Sequence, residues 1–325
     1  VDEKMKAIIQ NEFGGADVLL HTDMERPKTN QNEVLIKVAF TSVNYADIKN
    51  RLGNKGKVIF PLMLGLDVAG TIEESSAYSP FSKGDRVIAF PKNGSYAEYV
   101  VANEKLVFKI PDSLSFEQAA AMPTVSILSY ILIHEIGEVQ KTDTIVIHSA
   151  AGGVGSMLVQ VAKLLDVQKI IGTVGNLEKG DYVKRLGADI VCTYETFTEE
   201  VLNHTNNEGA NVIFDSVAGN VTSKSLECLA LYGTLVQFGN SSGKAGVFKT
   251  SDVHSSCRNI KGFSLGTTRK HNPGRLAPAA EKVLELFNSK QLTLPIAQVF
   301  NLKDAAKAHK LVESRNYKGK VLIKM

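Results

Sequence analysis

Residues 144–160 read TIVIHSAAGGVGSMLVQ, a cluster of small residues set between two apolar runs. Ala150, Gly152 and Gly155 stand at the spacing of a dinucleotide-binding turn, with alanine in place of the usual first glycine. In such a turn the first small residue allows the tight bend and the second lets the backbone approach a pyrophosphate. The third lets helix and strand pack closely. Gly153 and Val154 complete the turn, whose N–H groups and helix dipole favour a diphosphate. The other reading is that these glycines only ease the packing of a helix on a sheet. Their place directly between a strand pattern and a helix pattern favours the cofactor. A GK[ST] sequence is missing, which argues against an ATP-hydrolysing phosphate loop.

The choice of dinucleotide falls to the end of the next strand, Thr173-Val174-Gly175-Asn176. An NAD site usually places Asp or Glu there to accept the ribose 2′-hydroxyl. Gly175 and Asn176 occupy that place instead, and Lys179 follows one turn later, where it could pair with a 2′-phosphate. Glu178 can serve the helix dipole. NADPH is the expected cofactor.

The elements around these residues form two patterns. Residues 1–122 carry short strand-like runs at 34–40, 68–72, 86–90 and 96–101, punctuated by Gly and Pro, which predicts a β-rich, barrel-like domain. Around Pro123, helices are expected at 114–121 and 124–136. Strands at 144–147, 169–174, 189–192, 211–214 and 233–238 alternate with helices at 154–166, 178–186, 197–205 and 220–230. That alternation predicts an α/β, doubly wound parallel sheet. The tail (helix 278–289, strand 296–300, helix 303–313, strand 319–324) fits neither domain by periodicity. A length of 325 residues suits two domains. The opening VDEKMKAIIQ suggests that Val1–Lys4 precede a native start at Met5.

Further motifs span nearly the whole chain: Ser42-Val-Asn-Tyr-Ala-Asp47, Gly65-Leu-Asp-Val-Ala-Gly70, Gly84-Asp-Arg-Val87 and Gly94-Ser-Tyr-Ala-Glu-Tyr99. With them go Ala150–Gly155 followed by Gln160 and Lys163, Asp215-Ser-Val217, and Phe238-Gly-Asn-Ser-Ser-Gly243. In this set the chain resembles the zinc-independent quinone oxidoreductases, zeta-crystallin-like members of the medium-chain dehydrogenase/reductase superfamily. The resemblance implies a GroES-like catalytic domain, 1–122 completed by 262–325, and a Rossmann NADP-binding domain, 123–261. It implies direct hydride transfer from NADPH to a quinone or related conjugated carbonyl, with enones and enals as close rivals. A nucleotide-binding protein without useful catalysis is the alternative of another class. By the same resemblance Lys179, Tyr194 and Arg315 contact the 2′-phosphate, and Phe238, Gly239 and Asn240 lie along the nicotinamide. Asn44 and Tyr45 border the substrate. Tyr45 either donates a hydrogen bond to the carbonyl oxygen or only shapes the pocket wall. Leu128 departs from the Thr or Ser that relatives often carry near the nicotinamide, and Ser149 stands where many have Ala. A homodimer is implied.

Zinc-dependent relatives use a Cys, a Gly-His-Glu segment and often a lobe of four cysteines. Here Ser42 and Asn44 occupy the first region, Gly65-Leu66-Asp67 the second, and residues 90–110 contain no cysteine. No metal is therefore expected, and Asp67 reads as a structural carboxylate. His148, His134 and His309 read as buried, packing or surface positions without metal spacing. Cys192, Cys228 and Cys257 are too far apart for a disulfide framework and suit reduced thiols in a cytoplasmic protein. A net charge of +3, with the basic residues scattered, argues against a nucleic-acid surface. No apolar run is long enough for a membrane helix.

Overall fold

The computed structural model describes residues 3–54 and 56–325. Val1 and Asp2, part of the segment expected to precede a native start, lie outside them. The chain divides into two compact units, one made of 1–124 with 268–325 and the other of 125–267.

The chain opens with an antiparallel ribbon of β1 (Lys4–Ile9) and β2 (Leu20–Glu25). β3 (Glu33–Ser42) leads into helix α1 (Tyr45–Leu52), then β4 (Val68–Glu74), β5 (Arg86–Ala89), β6 (Tyr99–Asn103), β7 (Val107–Lys109) and α2 (Phe116–Ala121). β3 is the hub of this unit, because most of its side chains are buried and it pairs with β4, β6 and a strand from the far end of the chain. Val34, Ile36 and Val38 on one face of β3 pack with Val68, Ile72 and Val87 into its core.

The second unit holds α3 (Pro123–Ile131), β8 (Thr144–Ile147), α4 (Gly153–Leu164), β9 (Lys169–Val174), α5 (Gly180–Leu186) and β10 (Ile190–Thr193). α6 (Phe197–Asn203), β11 (Ala210–Asp215), α7 (Asn220–Glu227), β12 (Leu229–Gln237), α8 (Ser251–His254) and β13 (Asn259–Gly262) follow. The six strands form one parallel sheet in the order β10-β9-β8-β11-β12-β13. All four residues of β8 are buried, as expected of a strand covered on both faces. β8 pairs with β9 on one side and β11 on the other, so the connections leave it in opposite directions, which is a topological switch point.

Helix α9 (Leu265–His271) leads back to the first unit, which adds α10 (Ala277–Asn288), β14 (Ile296–Asn301), α11 (Ala305–Ser314) and β15 (Lys320–Lys324). Its sheet runs β14-β15-β3-β4-β5-β7, with β6 beside β3. The ambiguous tail thus builds on the N-terminal sheet.

Several boundaries differ from the periodicity. The helix expected to reach 230 stops at Glu227, and β12 begins at Leu229 beside Ala210 of β11. The apolar run Cys228-Leu229-Ala230 satisfies either period, and the free sheet edge decides. The strand expected at 96–101 becomes β6, 99–103, because Tyr96 turns aside to bond Ile8 and Leu64 and Ala97 bridges to Ala7. The expected 124–136 helix keeps its α form to Ile131 and widens into a π-turn over Leu132–Ile136.

Candidate functional site

β8 delivers the chain into the glycine turn through His148, which is buried. Ser149 takes a left-handed conformation with φ 54°, and Ala150 N–H donates to Thr173 of β9 at 2.9 Å. Gly152 is extended at the start of α4, with no side-chain cap and no acidic residue in the first turn. The first-turn N–H groups are therefore arranged for an anion supplied from outside the helix. Gly155 is required by packing, since a Cβ there would lie 2.0 Å from the Ser149 carbonyl oxygen. Ala150 is tolerated because β9 carries Gly172 beneath it. A Cβ at Gly172 would come within 2.8 Å of the Ala150 methyl.

Neutral hydrogen bonds brace the turn from behind. Ser225 Oγ donates to Val221 O at 2.6 Å, so it accepts from His148 Nε2 at 2.8 Å. His148 Nδ1 is then the acceptor for Thr173 Oγ1 at 2.8 Å. Burial pushes the imidazole down to about 4, so it is neutral at physiological pH. Tyr194 Oη accepts from Ser149 N–H at 2.8 Å. The residue expected at a 2′-phosphate thus already has one lone pair on the turn.

The other expected cofactor residues follow the C-terminal ends of the neighbouring strands. Gly175 after β9 is exposed, with open space where a side chain would project. Asn176 Oδ1 accepts from Glu178 N at 3.0 Å, which folds the chain into the short turn carrying Lys179. After β12, Gly239 N–H donates to Gln237 Oε1 at 2.9 Å, and Gln237 Nε2 donates to Asp215 Oδ2 at 3.1 Å. Asp215, buried at the end of β11, also accepts from Val217 N, Ala218 N and Thr222 Oγ1. It therefore ties the loop after β11 to Phe238, Gly239 and the exposed Asn240. The structure brings Ala150, Gly152–Gly155, Gly175, Asn176, Lys179, Tyr194 and Phe238–Asn240 to one edge of one sheet. Asp215 and Gln237 were missed as bracing residues, and Gln237 carries no sequence signal for the role.

Arg315 belongs to the first unit, as do Asn44 and Tyr45. It ends α11 in the left-handed conformation, and its guanidinium lies 5.6 Å from the centroid of the Tyr45 ring. Tyr45 is 42% exposed. Asn44 is buried, and its amide is turned inward: Oδ1 accepts from Lys320 Nζ at 2.7 Å, and Nδ2 faces Ser42 Oγ and Asp67 at 3.3 Å. Asp67 is the expected structural carboxylate, accepting also from Ser42 Oγ at 2.6 Å and Thr124 N at 3.1 Å. These residues do not fit a metal. The Asp67 oxygens are taken by donors, and the fully buried ammonium of Lys320 would repel a second cation. Among the described residues no group of three or more His, Cys, Asp or Glu side chains is placed to share an ion. Burial raises the thiols of Cys192 and Cys228 to about 11 and about 12, so neither is a nucleophile at neutral pH.

Comparison with known proteins agrees with this architecture. Residues 30–112 match the alcohol dehydrogenase GroES-like domain, and residues 153–284 match the zinc-binding dehydrogenase family. The chain is 34% identical to a quinone oxidoreductase of Pseudomonas aeruginosa over 96% of this chain and 97% of that one. It is 32% identical to a probable quinone oxidoreductase of Schizosaccharomyces pombe over 95% and 94%. Its fold superimposes on the Escherichia coli quinone oxidoreductase complexed with NADPH with a TM-score of 0.91, at 28% identity, over 98% of this chain and 100% of that one. A GroES-like sheet joined to a Rossmann sheet defines a medium-chain dehydrogenase/reductase. Within that superfamily the chain belongs to the quinone oxidoreductases, and it is an oxidoreductase.

Proposed function

We propose that this chain reduces quinones or related conjugated carbonyls with NADPH, by direct hydride transfer and without a metal. The observation that carries the reading is the uncapped glycine turn at α4, joined on the same sheet edge by a β9 end that lacks a carboxylate and leads to Lys179. When bound, NADPH supplies the hydride. Gly152–Gly155 would hold its pyrophosphate, and Lys179 and Tyr194 its 2′-phosphate. Phe238, Gly239 and Asn240 would line its nicotinamide, steadied through Gln237 and Asp215. Tyr45 would border the acceptor and offer its hydroxyl to the carbonyl oxygen, while Asn44, turned inward, sets the position of Tyr45. The complex of the E. coli relative with NADPH supports the choice of cofactor.

The companion proposals are a homodimer and a cytoplasmic location. Among the described residues no helix is long and apolar enough to cross a membrane. Sedimentation of the purified chain measures the first. The central test is to compare NADPH and NADH binding and then follow NADPH oxidation with quinone, enone and enal acceptors. Equal affinity for the two nucleotides would remove the cofactor choice. No oxidation above the buffer rate with any acceptor would remove the activity.

A further inference from the structure

The glycine turn carries one polar residue on its open side. Ser149 is exposed, while His148 before it and Ala150 after it are buried. Both neighbours are tied to adjacent strands: His148 N–H donates to Phe214 O of β11 at 3.1 Å, and Ala150 N–H to Thr173 O of β9 at 2.9 Å. The backbone of Ser149 is held as well. Its N–H donates to Tyr194 Oη at 2.8 Å, and its carbonyl accepts from Gly152 N–H at 3.0 Å. A φ of 54° puts the residue in the left-handed region, which glycine enters freely and serine does not. Strain of this kind persists where the surroundings fix it, and it gathers at ligand sites.

The hydroxyl stands beside the bare face of Gly152. A Cβ at Gly152 would lie 3.5 Å from Ser149 Oγ and 3.3 Å from the Ser149 carbonyl oxygen. The second glycine of a dinucleotide turn is bare so that a pyrophosphate can approach the backbone there. Ser149 Oγ therefore borders the space that group needs, next to the uncapped first turn of α4. The Tyr194 hydroxyl reaches the same oxygen. A serine hydroxyl has one hydrogen and two lone pairs, so contact with the phenol leaves it able to donate to a phosphate.

We propose that Ser149 is a further cofactor-binding residue, whose hydroxyl donates to a pyrophosphate oxygen of the bound dinucleotide. This contact rests on the cofactor role proposed above for the glycine turn and deepens it. Charge-assisted bonds of this type are stronger than neutral ones. A backbone fixed on both sides leaves little more than one side-chain rotation to be lost on binding. An aspartate, which also tolerates the left-handed region, would meet the diphosphate with a like charge. The pyrophosphate is common to both nicotinamide dinucleotides. Ser149 should therefore raise the affinity for NADPH and NADH alike, whereas Lys179, at the proposed 2′-phosphate, separates them.

Calorimetric titration of the full chain with NADPH and with NADH tests this without an acceptor, alongside thermal melting of the nucleotide-free protein. Ser149→Ala should weaken both nucleotides by the same factor, about fivefold to tenfold, and leave the melting temperature unchanged. Ser149→Gly also removes the hydroxyl but relieves the left-handed strain, and it should still bind both more weakly. Should Ser149→Ala melt at a lower temperature, Ser149→Gly decides. Unchanged affinity for both nucleotides in either variant overturns the contact. So does a loss confined to NADPH, which would place the hydroxyl at Tyr194 and the 2′-phosphate. If the unmodified chain binds neither nucleotide, the cofactor role falls and the contact falls with it. Binding that weakens as expected, in a chain that oxidises NADPH with no acceptor, keeps the contact and loses only the proposed activity.

Discussion

The glycine turn of the second unit and the Asn44–Tyr45 turn of the first are both braced by buried polar groups, but in opposite ways. Behind the glycine turn stand a neutral histidine, two hydroxyls and a tyrosine, each with a partner. Behind the other turn stand two carboxylates and a lysine, all fully buried. Neutral bracing holds a backbone rigid with no charge to desolvate. Charged bracing is stronger per bond but makes the local geometry depend on protonation. Under the proposed function, the first design serves a turn that cradles a diphosphate and the second a turn that offers a hydroxyl to a carbonyl.

The largest test of that contrast is Lys320→Met, which leaves Asp47, Asp67 and the Asn44 carbonyl without their ammonium. It should cost about 3–5 kcal/mol in urea unfolding, as for a broken buried ion pair. A loss below 1 kcal/mol would mean that the charges are already screened by water. Gly155→Ala should come next, at about 1–3 kcal/mol of overpacking, with NADPH binding lost by calorimetry. Unchanged binding would show that the turn is not the pyrophosphate cradle. Lys179→Ala should weaken NADPH binding about tenfold to a hundredfold and leave NADH unaffected, since a charge-assisted contact is worth about 1.5–3 kcal/mol. Equal weakening of both nucleotides would place the lysine elsewhere.

The smallest effects are slopes of stability against pH, and they should have opposite signs. His148 and His309 are depressed to about 4 and about 3 from an ordinary 6.5. Their contribution is present above 6.5 and is lost as pH falls through those values. Asp47 is raised from 3.8 to about 7, so its contribution is present below 3.8 and is lost as pH rises through about 7. His148→Gln should flatten the acid limb of the stability curve, and Asp47→Asn the limb between about 4 and 7. Denaturant midpoints at several pH values measure both, and limbs that stay unchanged would contradict the assignment.

The second unit was readable in the chain because each strand is short, apolar and followed by its own helix. The β8–α4 turn could be placed to the residue, since small side chains at fixed spacing are what close backbone approach demands. The first unit was less so. α1 was not expected, because YADIKNRL is mostly polar, although Asn44 followed three residues later by Asp47 is a helix-start signal. β1 and β2 form a two-stranded ribbon of their own, and β13 is a four-residue edge strand, so their periodicity is weak. The buried charged cluster behind the Asn44–Tyr45 turn lay beyond reach for another reason. Asp47, Asp67 and Lys320 come from three separate segments, and each alone reads as an ordinary helix, loop or strand residue. Only the sheet that joins β15 to β3 brings Lys320 to Asn44.

That joining also orders events during synthesis. The whole second unit is made between Asp67 and Lys320, and its parallel sheet needs no residue of β15. Until β15 is added beside β3, Asp47 and Asp67 sit close together without the ammonium that balances them. A nascent chain is therefore able to complete its second unit before β15 brings Lys320 to the Asn44–Tyr45 turn.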